Sequence, residues 1–212
     1  MLLLPINNIS LLNYIKTDGS QTSLLNALNQ KLNNKQEKTM SSAQRNEYEG
    51  LEQKAGELGQ SAQALLKEGE DGLFREAEIN GENQKLYIGI KDFFDDYNST
   101  LKTLQSVSGT MNNFYHQSLV EASSKSKESL ESLGITFSKD GTAYVDMEKI
   151  KVTDMVTLKE TLGKESDFIE KVDFLSSRIS DYAKANVESV SSTYNSAANL
   201  YFAGNGKYNF YS

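Results

Sequence analysis

Residues 90 to 146 place a strong helical pattern shortly before a strand pattern. In the first part, large apolar residues recur at spacings of three and four, which gives a helix one apolar stripe. That stripe consists of Ile90, Phe93, Phe94, Tyr97, Leu101 and Leu104. The period then changes to two on either side of the turn residues 139–141, Lys-Asp-Gly, as a β-hairpin requires. We therefore predict a long helix and, after a polar helical segment, one small hairpin near 135–145.

The other helices follow from similar stripes in a chain with little to interrupt them. Only 1 proline occurs among the 212 residues, and proline is the strongest helix breaker. Helices are predicted around 42–68, 83–107, 110–132 and 165–190. The stripe of the last one consists of Phe168, Ile169, Val172, Leu175, Ile179 and Tyr182. We predict a mainly α fold, an elongated antiparallel helical bundle with the hairpin at its end. In it, the stripe that begins at Ile90 and the stripe that begins at Phe168 face the core together.

The chain divides into three predicted parts. Residues 1–22 form a flexible amino-terminal arm, 23–190 the helical bundle domain, and 191–212 an aromatic carboxyl-terminal tail. Within the bundle, residues 73–79 lie between two glycine-containing breaks. This segment fits either a short strand paired with 85–90 or a helical turn that leads into the next helix.

Several residues have the chemistry expected at helix ends. Ser41 or Ser42 can accept a hydrogen bond from the first turn of the first bundle helix. Gly134 can close the helix before the hairpin, because glycine tolerates the left-handed backbone found there. Asp146 can cap the segment that follows the hairpin, and Ser166 opens the last helix.

Charge and composition exclude several classes of protein. Lys and Arg number 22 against 29 Asp and Glu, a formal net charge of −7. An acidic chain lacks the cationic surface that nucleic acids require, so we expect no nucleic-acid partner. Because there is no cysteine, thiol catalysis and thiolate metal sites are excluded. The apolar start is broken at Pro5, too short for a signal peptide or a membrane span, so we expect no membrane insertion.

Residues able to perform chemistry do not form a recognisable site. The single histidine, His116, lies between aromatic and polar helix residues with no motif that supplies a nucleophile and a carboxylate. Asp92, Asp95 and Asp96 lie on adjacent helical turns and could hold a hard cation. They equally form an acidic helix face near a helix start, which is the interpretation we adopt. We predict no enzymatic activity, no cofactor and no metal.

The carboxyl-terminal tail carries more apolar surface than a solvated segment needs. Its large apolar residues alternate with Asn, Ser and Gly, which oppose a regular helix beyond about Leu200. They are Tyr194, Leu200, Tyr201, Phe202, Tyr208, Phe210 and Tyr211. These side chains either pack back on the bundle or contact another protein chain. We take them as the candidate partner-contact residues.

Two motifs resemble one known family. The first is carried by Lys91, Asp92, Phe93, Tyr97, Asn98 and Leu101. The second is carried by Leu133, Gly134, Ile135, Lys139, Asp140, Gly141 and Asp146. In this order, and with Phe174 to Ile179 further on, they resemble the helical carboxyl-terminal domain of the flagellar filament cap proteins (hook-associated protein 2). The resemblance covers roughly residues 86 to 180.

The resemblance implies a short relative of that domain, with its two terminal segments close together and a helical turn at 73–79. It further implies a non-enzymatic structural or assembly role, through helix packing and subunit contacts. The implied partners are flagellin, other axial proteins or copies of the chain itself in a weak homo-oligomer. The implied location is the extracellular flagellum, reached without a cleaved signal peptide. The alternative is a secreted or surface helical protein-binding module unrelated to flagella; a chain with no flagellar role could also be cytoplasmic.

Overall fold

The computed structural model describes residues 41–81 and 83–204, with side chains up to residue 188. This part of the chain is a mainly α helical bundle with one small β-hairpin, as predicted. The helices are α1 (Ser42–Leu66), α2 (Leu73–Asn80), α3 (Gln84–Ser106), α4 (Thr110–Lys125), α5 (Lys127–Ser132), α6 (Met147–Val152), α7 (Met155–Leu162) and α8 (Asp167–Gly204). The strands are β1 (Ile135–Phe137) and β2 (Ala143–Val145), which pair antiparallel.

Helices α1 and α8 run antiparallel along each other. Near the start of α1, the Tyr48 ring lies against Tyr182 with 5.9 Å between centroids. Near its end, Gln63 Nε2 donates a 3.1 Å hydrogen bond to Asp173 Oδ1. Residue numbers therefore rise along α1 where they fall along α8.

Helices α3 and α4 form a second antiparallel pair. The Tyr97 hydroxyl donates to the Leu119 carbonyl over 3.2 Å, and Gln105 Nε2 lies 2.8 Å from His116 Nε2. Helix α3 also packs on α1, and α4 also packs on α8. The two pairs thus share one core, which accounts for the buried face of each helix.

Phe168, in the first turn of α8, is the centre of that core. Its ring centroid lies 6.0 Å from Phe93, 6.3 Å from Phe94 and 5.9 Å from Tyr97, all on α3. It also lies 6.1 Å from Phe137 of the hairpin. The predicted burial of the α3 and α8 stripes in one core is confirmed, and Phe168 brings the start of α8 against α3. The main neighbours of α8 are α1 and α4 rather than α3, so the predicted pairing of the two stripes along their length is wrong.

The predicted capping residues act at the helix ends. Ser41 forms a reciprocal capping box with Gln44, so Ser41 rather than Ser42 opens α1. Gly134 adopts a φ of 88° directly after α5. Asp146 accepts hydrogen bonds from two backbone amides of α6, and the Ser166 hydroxyl accepts one from the first turn of α8. These helix-end predictions are confirmed.

The predicted helix 110–132 is wrong in one respect, because it is two helices with a break at Ser126. Ser126 has φ −101° and ψ 12°, outside the helical values. Just before it, the Ser123 and Ser124 hydroxyls both donate to the Val120 carbonyl over 2.9 Å. Serine hydroxyls in this position compete for backbone groups and bend or end helices.

Two further boundaries are settled by the structure. Residues 73–79 lie in α2, so the helical alternative is confirmed and the strand is wrong. Helix α8 does not end near 190 but continues to Gly204, past the predicted limit at Leu200. Between Gly163 and Gly204 the sequence contains no glycine or proline, so nothing in the backbone chemistry stops the helix earlier. The predicted arm 1–22, and the start of the bundle domain from 23, lie outside the described residues.

Candidate interaction surfaces

The predicted partner-contact residues fall largely outside the described part of the chain. The backbone of α8 is helical at Tyr194, Leu200, Tyr201 and Phe202. Their side chains, and the whole of Tyr208, Phe210 and Tyr211, lie outside the described residues. The assignment of this segment to partner contact therefore stays a prediction.

Helix α1 begins at the same end of the bundle at which α8 extends beyond the core. Tyr48 and Tyr182 mark this end, and Tyr115 of α4 joins them with its ring 5.8 Å from Tyr182. Helix α1 starts roughly six residues before Tyr48, whereas α8 continues for roughly 22 residues after Tyr182. At about 1.5 Å per residue, α8 thus extends about 24 Å further than the start of α1.

Polar groups are buried at this end. The Tyr48 and Tyr182 hydroxyls lie 3.4 Å apart, and burial raises the pKa of Tyr182 to about 12. The fully buried Asn112 donates from Nδ2 to the Val107 carbonyl over 2.9 Å. Its Oδ1 accepts no hydrogen bond from any described residue. An unused buried acceptor costs roughly 1–3 kcal/mol.

Asn98, a residue of the first sequence motif, holds the hairpin against α3. Its side-chain amide donates to the Ala143 carbonyl over 2.9 Å and accepts from the Ala143 amide over 2.7 Å. These backbone groups point away from β1, since the hairpin bond beside them is formed by Ser138 and Thr142. The side chain of Asn98 therefore replaces a third strand at the outer edge of β2.

Tyr97, the residue before Asn98, joins three elements. Its ring packs on Phe137 of β1 with 6.1 Å between centroids, and its hydroxyl bonds to the Leu119 carbonyl of α4. Burial raises the pKa of Tyr97 to about 12. The two sequence motifs are thus in direct contact through Tyr97 and Asn98.

We expect Asn98→Ala to lower the free energy of unfolding by about 1–3 kcal/mol, because it leaves the outward amide and carbonyl of Ala143 without partners. Urea unfolding followed by circular dichroism measures this loss, and hydrogen exchange should show faster exchange at Ala143. Asn113→Ala, at an exposed position of α4, is the matched control. Equal stability of the two variants would contradict the proposed role of Asn98.

The residues considered for chemistry do not converge on a common site in the described part of the chain. His116 has Gln105 as its hydrogen-bond partner. Among the carboxylates, Asp95 is paired with Lys91 over 2.5 Å, and burial raises the pKa of the half-exposed Asp96. Within residues 41–81 and 83–204, no group of three or more His, Asp or Glu side chains is arranged to hold a metal.

Two exposed aromatic residues were not among the predicted partner-contact residues. Phe114 of α4 and Phe174 of α8 are about half exposed, at 55% and 51%. Phe174 falls between the buried Val172 and Leu175 in sequence, and only the tertiary contacts of α8 decide which of its faces remains open. Its two flanking cations, at positions three before and four after it, were the available signal.

None of the helices in the described part is both long and apolar enough to cross a membrane. Comparison with known proteins finds no matching family model, no similar curated protein and no similar solved structure.

Proposed function

We propose that this chain is a non-enzymatic structural or assembly protein of the flagellar filament cap type. It acts through contacts made at the end of the bundle where α1 begins and α8 continues. The observation that carries the proposal is the length of α8, which extends about 24 Å beyond the start of α1. A helix that extends this far beyond the described helices beside it needs other apolar surface to be stable in water.

The sequence of this part of α8 supports assembly. Apolar residues occur at Val187, Val190, Tyr194, Ala197 and Tyr201, with alternating spacings of three and four. That spacing is typical of a coiled-coil seam. Residues 189–212 also contain no carboxylate, so no negative charge opposes packing against other parts of this acidic protein.

The flagellar part of the proposal rests on the resemblance of the two motifs. The motif residues Tyr97 and Asn98 lie against the hairpin motif, which agrees with a domain in which both motifs act as one unit. The proposed partners are copies of the chain, flagellin or other axial proteins, and the proposed location is the extracellular flagellum. A direct test is binding of the purified chain to purified flagellin filaments, with gold label expected at filament ends.

Truncation after Val190 tests the assembly role. The full chain should show weak, concentration-dependent association by light scattering, and the truncated chain should be monomeric. Circular dichroism should show that the truncated chain keeps its cooperative unfolding, because the core around Phe168 is intact. Loss of the folded bundle on truncation would mean that the segment belongs to the core, and unchanged association would place the contact elsewhere.

A matched pair of full-length variants separates the seam from the rest of the helix. Tyr194→Ser with Tyr201→Ser removes two seam positions and should abolish the association. Asn195→Ser with Asn199→Ser changes neighbouring positions outside the seam and should leave it unchanged. Equal behaviour of the two pairs would contradict a contact through the seam.

A further inference from the structure

A groove lies between α4 and α8, and no residue of the hairpin lines it. It has a volume of about 570 Å³ and is open to solvent. Phe114, Ser118 and Ala122 line it from α4, and Lys171 lines it from α8. Its size falls within the range of natural binding clefts.

Lys171 connects this groove with the exposed ring of Phe174. Its Nζ lies 5.2 Å from the centre of the Phe174 ring, and the guanidinium of Arg178 lies 5.3 Å from the same point. Phe174 and Phe114 are each about half exposed. We call Phe114, Ala122, Lys171, Phe174 and Arg178 together the α4–α8 surface.

The charge of this surface differs from that of the whole chain, whose formal net charge is −7. Among the described residues, neither Lys171 nor Arg178 has a carboxylate within the 4.0 Å of an ion pair. Glu121 at the groove is paired with Lys125 over 2.7 Å, and Lys171 adds a weaker attraction that also lowers the pKa of Glu121. The remaining groove carboxylate, Asp167, is the first residue of α8, where the helix dipole stabilises it. Two cations beside exposed aromatic rings are thus left available to a partner.

We propose that the α4–α8 surface binds an amphipathic helix of a partner protein, one that carries carboxylates beside its apolar face. Helices of this kind dock by laying their apolar face in a groove between two helices. Phe114, Ala122 and Phe174 supply the apolar contact, and Lys171 and Arg178 supply attraction for the flanking carboxylates.

The terminal segments of this chain are poor candidates for the same groove. Residues 189–212 contain no carboxylate, and residues 1–40 contain more lysines than carboxylates. Neither segment carries a net negative charge on its side chains, which is what Lys171 and Arg178 favour. The charge therefore points to another protein, and the surface is separate from the seam in α8 that the proposed function uses.

Fluorescence anisotropy with a designed peptide tests the proposal on the full chain. The probe is an 18-residue helical peptide with leucines at spacings of three and four and glutamates beside them. We expect saturable binding that weakens with added salt. The same peptide with lysine in place of each glutamate should bind at least tenfold more weakly. Equal binding of the two peptides would overturn the proposal.

Variants locate the binding site. Lys171→Glu with Arg178→Glu, and separately Phe174→Ser, should each weaken binding of the glutamate peptide at least tenfold while thermal unfolding stays cooperative. Lys102→Glu, which changes an exposed cation on α3, is the control and should have little effect. Undiminished binding by the Lys171 and Arg178 variant would overturn the proposal. The proposal would also be overturned if Phe174→Ser abolished self-association of the chain in the absence of peptide. That result would mean that the surface binds a second copy of the chain.

Discussion

Replacing Phe168 by alanine should lower the free energy of unfolding by about 3–5 kcal/mol, the range for removing a buried phenylalanine. The ring is buried and lies about 6 Å from four other aromatic rings. Edge-to-face and stacked pairs of this kind contribute about 0.5–1.5 kcal/mol each beyond their area. Because those rings come from α3 and the hairpin, the variant should also weaken the attachment of the hairpin. Urea unfolding measured by circular dichroism gives the loss.

Phe174→Ala is the matched control on the same helix. Its ring is about half exposed, so its removal should change the free energy of unfolding by less than about 1 kcal/mol, as for most surface substitutions. A similar loss in both variants would mean that α8 is stabilised along its whole surface. Phe168 would then have no special place in the core.

The sequence predicts the core well because helix burial depends on spacing. All residues of the α3 stripe, from Ile90 to Leu104, are buried as expected. Those residues are large, and their spacing leaves one helix face able to hold them. The hairpin is predicted for a similar reason. Residues that alternate with a period of two on both sides of a glycine-containing turn fit few structures other than a β-hairpin.

Features that depend on single hydroxyl groups or on distant contacts are not predicted. The break at Ser126 follows from hydroxyl bonds of Ser123 and Ser124 to Val120, and serine runs also occur inside intact helices. The continuation of α8 to Gly204 is hidden by asparagines and serines, whose preference against helix is weak and is overridden by context.

The α4–α8 surface is not predicted from helical spacing, for a geometric reason. Phe114 and Tyr115 are adjacent on α4, yet Tyr115 is buried against Tyr182 and Phe114 is about half exposed. A helix stripe identifies one apolar face, but aromatic residues beside it can lie in the core or at its margin. Neighbouring helices decide between the two, and their positions come from contacts far apart in the chain.

The role of Asn98 is a second feature that periodicity in the sequence does not predict. Its partner, Ala143, is 45 residues away, so helical or strand periodicity cannot reveal the bond. The resemblance to the cap family brings the two motifs together as a pair without giving the contact. The structure supplies the physical link, in which one helix side chain completes the edge of a two-stranded sheet.

The hairpin turn gives the second large effect, because Gly141 meets both a backbone and a steric requirement. Its φ is 87°, a left-handed value that costs other residues about 1–2 kcal/mol. A Cβ added there would also lie 2.5 Å from Val120 Cγ2 of α4, and such overpacking costs about 1–3 kcal/mol. We expect Gly141→Ala to lower the free energy of unfolding by about 2–4 kcal/mol, measured by urea unfolding.

Gly56→Ala is the control of opposite sign. Gly56 lies within α1 with nothing within 4 Å of an added Cβ, so alanine should stabilise the helix by up to about 1 kcal/mol. Combining Gly141→Ala with Val120→Ala should remove the destabilisation caused by the steric clash. The destabilisation caused by the left-handed backbone should remain. If Gly141→Ala instead behaves like Gly56→Ala, the turn can move away from α4 without cost. The hairpin would then be held by Asn98 and the Phe168 core rather than by the fit of its turn.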